Sequence, residues 1–421
     1  MQSGNLNGIW LKILIKKISV ENLKAGMFIH DFNCTWMEIP FLSRSLFIKE
    51  DRFIEKILKH GIREVYIDTL KGQDVTSEIP LSYLKRELVE KIEKTDGKLD
   101  AENRKTSISD RVPLREEMGN ARRIRRFANI AVKQIMQDVK SGKQFKVEKA
   151  SEVVAGIVDS VFNNRHALIS LSRMKKKDEY TFMHSVSVCV LMVSFCRILG
   201  MEQDEIKEMG LGALLHDIGK INIPDSIFKK DGKLTPYEFD KFKKHVGESI
   251  KILQKRPNIP QSVLDIAAQH HERLDGSGYP QGLRGGDISR CAQITAIVDV
   301  YDSMISDPLH GERVEPVGAL KYIFEWSGYY FDKELVEKFI RCVGIYPTGS
   351  LVRTESGFLG VVIGTSGDNL LFPEVRLVFN LAKKKFVAPR DVDLSKTRGD
   401  KIIASEIPLK WKINPQAFID I

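Results

Sequence analysis

The spacing of apolar residues along this chain changes character twice. Between residues 17 and 72 they fall in short β-forming clusters, Phe28-Ile29-His30, Phe47-Ile48 and Val65-Tyr66-Ile67. Phe53, Ile54, Ile57 and Leu58 recur at helical spacing, and Lys24-Ala25-Gly26-Met27 and Gly61 supply turns. This is the pattern of a small mixed α+β module. Residues 73–115 are polar and charged, with one weak helical stretch (Leu84, Leu88, Ile92), and read as a linker. From 116 to 345 nearly every segment has helical period. Val153 to Phe162 is amphipathic, while Val186 to Leu199, closed by Gly200, and Ile294 to Met304 are apolar nearly all round, as buried helices are. Thr235-Pro236 reads as an N-cap followed by proline at the first helical position. Beyond 346 the β-formers return in 350–354, 358–363, 373–379 and 385–387 between Gly, Asn and Asp turns, predicting a small antiparallel extension over 346–415. The expected class is α+β multidomain, with an all-α centre between two small modules.

Composition adjusts this picture only slightly. A chain of 421 residues, 43% hydrophobic and 29% charged, is expected to be a soluble protein of two or three domains. No apolar run approaches the roughly 20 residues that span a bilayer. Ile9 to Ile15 is short, broken by Lys12 and lacks a small-residue cleavage site, so a signal peptide is not expected. Five cysteines (Cys34, Cys189, Cys196, Cys291, Cys342) form no CxxC pair and fit free thiols in a reducing cytoplasm. The net charge of +9 is uneven: Arg115 to Lys149 holds ten basic residues against four acidic. Such a stripe can face nucleic acid or anionic lipid. Ile124, Phe127, Ala128, Ala131, Ile135 and Val139 nevertheless keep an apolar side at helical spacing, so the favoured reading is a solvated helix face and no nucleic-acid partner.

The chemistry gathers around His216-Asp217-Ile218-Gly219-Lys220, where an apolar helical run gives way to a turn. A lone His-Asp pair signifies little. Here it is accompanied by His184 upstream and by His245, His270-His271 and Asp299 downstream. Imidazole and carboxylate together suit zinc, iron, manganese or nickel. Two cations about 3.5–4 Å apart need a bridging carboxylate and a set of terminal ligands each. His184, His216, Asp217 and Asp299 can hold one; Asp217, as bridge, with His245, His270 and His271 can hold the other. Asp299 is expected at the opening turn of a helix, with Asp302 on the same face either orienting a ligand or capping. The loop Asp275-Gly276-Ser277-Gly278-Tyr279-Pro280 and the following Gly282 to Gly286 cannot continue a helix, and Gly276 and Gly278 let backbone approach a ligand closely. His30 and His60 stand alone, as structural histidines do.

Four stretches, Asp178 to Val186, His216 to Lys220, His270 to Pro280 and Asp299-Val300-Tyr301-Asp302, resemble in unbroken order the HD-GYP family of the HD superfamily of metal-dependent phosphohydrolases. The N-terminal stretch (Leu23 to Met27, Pro40-Phe41, Val65 to Asp68) is similar to a small domain of unknown function found ahead of such enzymes. The resemblance implies an all-helical catalytic domain with two divalent metal ions, iron or manganese. It implies hydrolysis of cyclic di-GMP to linear pGpG or GMP, with Asp217 and Lys220 catalytic, Lys220 meeting a non-bridging phosphate oxygen. Gly276, Gly278, Tyr279 and Pro280 either shape the pocket mouth, dock diguanylate cyclases (GGDEF proteins) as the resemblance implies, or form a purely structural turn, and a homodimer is compatible with it. The alternative is a catalytically weak sensor of the dinucleotide or a docking module. Two departures bear on this. Where some members carry a third metal-binding Glu, this chain has Tyr180, with Glu179 one place out of register, so two metals are expected. After Asp302 the usual phosphate-binding Arg and Lys are replaced by Asp307 to Arg313, leaving Arg313 as the substitute.

Overall fold

The computed structural model describes residues 15–32, 41, 45–69, 71–73, 111–172, 180–228, 230, 234–306, 314–365, 371–397 and 399–419. The N-terminal module is an antiparallel sheet of β1 (Ile15–Ser19), β2 (Phe28–Asp31), β3 (Leu46–Phe47) and β4 (Glu64–Asp68) in the order β1-β4-β2-β3, crossed by helix α1 (Arg52–Lys59). Ile29, Phe32, Ile48, Ile57, Val65 and Ile67 form its core. β1 was not expected as a strand. Lys16 and Lys17 look like the end of an apolar run, yet both pair in register with β4. Tyr66 leaves this core and is buried in that of the helical region.

The helical region comprises α2 (Leu114–Lys140), α3 (Val147–Asn163), α4 (Arg165–Ser172), α5 (Tyr180–Ile198), α6 (Gln203–Leu215), α7 (Pro236–Gln254), α8 (Gln261–Gln269), α9 (Arg290–Ser306), α10 (Pro316–Glu325) and α11 (Lys333–Val343). α5 is its axis, buried at every position from Met183 to Cys196, as an apolar circumference requires. Phe195 meets Phe339 of α11 at 5.2 Å between ring centroids, and Phe339 meets Tyr301 of α9 at 5.2 Å. α7 opens with a complete capping box between Thr235 and Glu238, worth about 1 kcal/mol. On α2 the expected inward stripe needs one correction. Ala128, Ala131 and Ile135 are buried, but Phe127 is 49% exposed, as is Ile130 at 63%. The small alanines bring α2 close to its neighbours, and Phe127 sits too far round the helix to join them.

The C-terminal extension is a five-stranded antiparallel sheet of β5 (Leu351–Thr354), β6 (Phe358–Thr365), β7 (Pro373–Asn380), β8 (Lys385–Asp393) and β9 (Ile402–Glu406), ordered β8-β7-β6-β5-β9. β9 was not expected, because its five residues follow a charged turn and carry little β pattern. β8 runs on through Pro389, which an edge strand tolerates because no neighbour needs its missing N–H. Cys189, Cys196, Cys291 and Cys342 are free thiols, and burial pushes the Cys342 thiol up to about 12.

Candidate metal centre

Small residues let the ligand-bearing segments meet. A Cβ on Gly210 of α6 would lie 2.8 Å from a Val154 methyl, and one on Gly212 would lie 2.5 Å from Ile266, so α6 touches α3 at one glycine and α8 at the other, on nearly opposite sides of the helix. Its last turn therefore delivers His216, at the helix C-cap, and Asp217, in the turn that follows, into the interior. His184 comes from α5, His245 from α7, His270 and His271 from the end of α8, and Asp299 from α9. Asp299 lies in the middle of its helix rather than at the opening turn, since α9 begins nine residues earlier at Arg290. All seven side chains are buried.

They gather as two overlapping groups, His184/His216/Asp217/Asp299 and Asp217/His245/His270/His271, each with ligand atoms within 4.8 Å of one another. Asp217 belongs to both. Its Oδ2 lies 3.0 Å from His216 Nε2 and 3.7 Å from His184 Nε2, and its Oδ1 lies 3.3 Å from His245 Nε2 and 3.7 Å from His270 Nε2. One oxygen thus faces each group. Asp299 Oδ1 approaches His184 Nε2 at 3.0 Å, and Oδ2 lies 3.8 Å from His271 Nδ1.

The hydrogen bonds fix which nitrogens are available. His216, His245 and His270 each place Nδ1 against a carbonyl three or four residues back, at 2.8 Å (Ala213), 2.7 Å (Phe242) and 2.9 Å (Ile266). A carbonyl only accepts, so Nδ1 carries a proton and Nε2 is the nitrogen turned inward. His184 Nδ1 meets Asp302 Oδ2 at 2.7 Å, which makes Asp302 an orienting partner of that ring. The proton of a neutral His184 is spent there, leaving Nε2 bare against a carboxylate oxygen.

These groups fit divalent cations. Buried His216 Nε2, His270 Nε2, Asp217 Oδ1 and Asp299 Oδ2 make no hydrogen bond. Nitrogen and oxygen donors aimed at a common point without protons between them are what a cation stabilises. Electrostatics shows the same demand. Burial would lower the His216 pKa, yet Asp217 and Asp299 overcome it and raise the ring to about 10. Burial would raise the Asp217 carboxyl, but His216 and Lys220 hold it well below the usual carboxylate range. His245, with less carboxylate around it, is pushed down by burial to about 3. Lys220 Nζ forms an ion pair with Asp217 Oδ2 and lies 5.5 Å from the centre of the Phe242 ring.

The loop after α8 folds back over the second group. Tyr279 packs on His271 with ring centroids 4.6 Å apart and planes tilted by 37°, and its hydroxyl is buried without a hydrogen bond. Gly276 has φ +80°, a conformation that favours glycine. A Cβ on Gly278 would stand 2.4 Å from Glu272 Cα, so the loop rests directly on the backbone of its own base. Ser277 and Pro280 are exposed at the rim. Sequence reasoning overlooked Glu272. Its buried carboxylate accepts from the backbone N–H groups of Gln281 (2.7 Å), Gly282 (3.2 Å) and Leu283 (3.0 Å) and ties the far end of the loop to the histidine pair. An acid wedged between a metal-type doublet and a glycine loop was the available signal. Arg313 and the side chains of Glu179 and Tyr180 lie outside the described residues.

A helical domain in which a His-Asp pair at a helix end joins four more histidines and a second aspartate around a shared carboxylate defines the HD class of metal-binding proteins. The family described as "HD domain" matches residues 162–335, and one described as a domain of unknown function (DUF3391) matches 15–150, taking in the N-terminal sheet and α2. Cyclic di-GMP phosphodiesterase PA4108 of Pseudomonas aeruginosa is 36% identical over 400 residues, 94% of each chain. A cyclic di-GMP phosphodiesterase of Thermotoga maritima is 37% identical over 202 residues, 47% of this chain and 54% of that one. The 3'3'-cGAMP-specific phosphodiesterase 2 of Vibrio cholerae is 30% identical over 207 residues, 45% of this chain and 39% of that one. With its HD and GYP motifs in place, the chain belongs to the HD-GYP family. Among the described residues no helix is long and apolar enough to cross a membrane.

Proposed function

We propose that the protein is a metal-dependent phosphodiesterase that hydrolyses cyclic di-GMP to linear pGpG, GMP or both, and so lowers this second messenger in bacterial signalling. The observation that carries the reading is Asp217, buried, with one carboxylate oxygen facing each of two histidine groups. The near full-length likeness to the Pseudomonas phosphodiesterase supports the substrate.

His184, His216, Asp217 and Asp299 would hold one divalent cation, and Asp217, His245, His270 and His271 the other, iron or manganese by their mixed nitrogen and oxygen donors. When bound, such a pair makes water acidic enough to attack a phosphodiester near neutral pH and offsets charge on the phosphate. The protein's own groups do the rest. The carbonyls behind His216, His245 and His270, and Asp302 behind His184, hold each ring in its ligating tautomer. Lys220 donates to a non-bridging phosphate oxygen as the phosphorus–oxygen bond to the departing ribose breaks. Gly276, Gly278, Tyr279 and Pro280 frame the pocket mouth, Arg313 contacts the substrate phosphate, and exposed Ser277 and Pro280 are where a GGDEF cyclase docks. The free thiols among the described residues support a cytoplasmic site of action, Cys34 lying outside them. The domain limits we propose are 17–72, 73–115, 116–345 and 346–415.

The test is product formation by protein purified without oxygen and loaded with iron(II) or manganese(II), with cyclic di-GMP and 3'3'-cGAMP as parallel substrates. Turnover of cyclic di-GMP that disappears in Asp217→Ala is expected. Equal turnover in both proteins, or exclusive use of 3'3'-cGAMP, would overturn the reading. Metal analysis should find two ions per chain, and three would refute the assignment.

A further inference from the structure

The N-terminal module touches the helical region beside the loop that covers the second histidine group. The turn between α10 and α11, Trp326 to Phe331, lies between them. On one side, Tyr66 of β4 is 3% exposed, packs on Tyr329 with ring centroids 4.7 Å apart, and donates its hydroxyl to the Ser327 carbonyl at 3.5 Å. His30 of β2 meets the same Tyr329 edge-on at 5.6 Å. On the other side, the turn holds the base of the loop at three successive residues. Leu274 N–H donates to the Tyr330 carbonyl at 3.2 Å. The Arg273 guanidinium lies 5.2 Å from the centre of the Phe331 ring. Burial, with the Asp275 carboxylate near its hydroxyl, pushes the Tyr329 pKa above the ordinary value.

Asp275 is also the residue that shapes the loop. It accepts from Ser277 N–H at 3.0 Å and Ser277 Oγ at 2.7 Å, and it pairs across the loop neck with Arg284. The turn itself is well anchored, with the N–H groups of Tyr329 and Tyr330 both donating to the Trp326 carbonyl at the end of α10. A continuous set of contacts therefore runs from the N-terminal sheet through Tyr329 to the neck of the loop.

We infer that Tyr329 is a positioning residue for the Gly-Tyr-Pro loop, and that the N-terminal module is the buttress that holds Tyr329 in place. The module then bears on the catalytic centre mechanically, through two tyrosines, rather than by supplying a ligand. Events that shift the β2–β4 face change the order of the loop over His271, while the metal-binding side chains on α5, α6, α7 and α9 keep their positions.

Hydrogen exchange of the full-length chain, followed by mass spectrometry, tests this without substrate and independently of the proposed activity. Tyr66→Ala, altered more than 200 residues from the loop, and Tyr329→Ala should each speed exchange of residues 274–285 by roughly tenfold. Exchange in α5 and α6, and metal content, should stay at the wild-type level. In hydrolysis the same variants should raise KM for the dinucleotide more than they lower kcat. Tyr329→Phe keeps the ring against Tyr66 and removes only the hydroxyl near Asp275, so it serves where the alanine variants unfold, with a smaller rise confined to the loop neck. Unchanged loop exchange in folded Tyr66→Ala and Tyr329→Ala, or in Tyr329→Phe, would overturn the inference. Loss of loop protection without any phosphodiesterase activity would support it while removing the functional reading.

Discussion

The two halves of the metal centre are built differently although they share Asp217. His184, His216, Asp217 and Asp299 form a set with two carboxylates, with Lys220 paired to one of them. Asp217, His245, His270 and His271 form a set with three imidazoles and only the shared carboxylate. The electrostatic outcome follows the count of anions: His216 is raised to about 10 while His245 falls to about 3, although burial pushes both the same way. The first set therefore draws in positive charge of any kind, protons included. The second offers nearly neutral nitrogen donors and discriminates by ligand softness rather than charge. The second set is also the one beneath the loop, through the contact of His271 with Tyr279.

Replacing the shared residue should have the largest effect. Asp217→Ala is expected to lose both ions and bring turnover to background, measured by metal analysis and product formation together. Retention of one ion would show that the halves are independent. Next, Asp299→Asn and His245→Ala should each leave about one ion per chain, from opposite halves. Manganese should be lost more readily than zinc from the imidazole-rich half that Asp299→Asn preserves. Asp302→Ala frees the His184 ring to rotate and should weaken the carboxylate-rich half by about 10–100-fold in metal affinity, without altering the other. The smallest change is expected for Glu272→Ala. It leaves three loop N–H groups without their acceptor, costs about 2 kcal/mol in thermal unfolding, and weakens only the half below the loop.

What the sequence made legible was the chemistry. Both ligand sets are brought together as their residue types and spacing required, because helix ends and glycine turns are strongly marked locally. The second rank of contacts was less visible. The carbonyl behind each histidine is a consequence of helical geometry at i−3 or i−4 and leaves no residue-type signature. Asp302 admitted two readings until its distance to His184 was known. Tyr66 and Tyr329 lie in different modules, and neither has a periodic partner that could have paired them. The strands β1 and β9 were missed for a related reason: each takes its stability from a neighbouring strand and so carries little pattern of its own.

Gly219 illustrates how much depends on a carbon atom that is not there. Its φ is ordinary, so the residue is not needed for a turn that other residues refuse. A Cβ at this position would stand 2.2 Å from the His245 carbonyl oxygen and 2.4 Å from Ser249 N, inside the backbone of α7. Its N–H donates to Ser249 Oγ at 2.9 Å, closing the seam between the two segments. A single methyl at 219 would act as a wedge, lifting the Asp217 turn off the helix that bears His245 and widening the gap that one carboxylate must span. The reach of a shared ligand is thus set by how closely two stretches of main chain may lie, and this protein places them at contact.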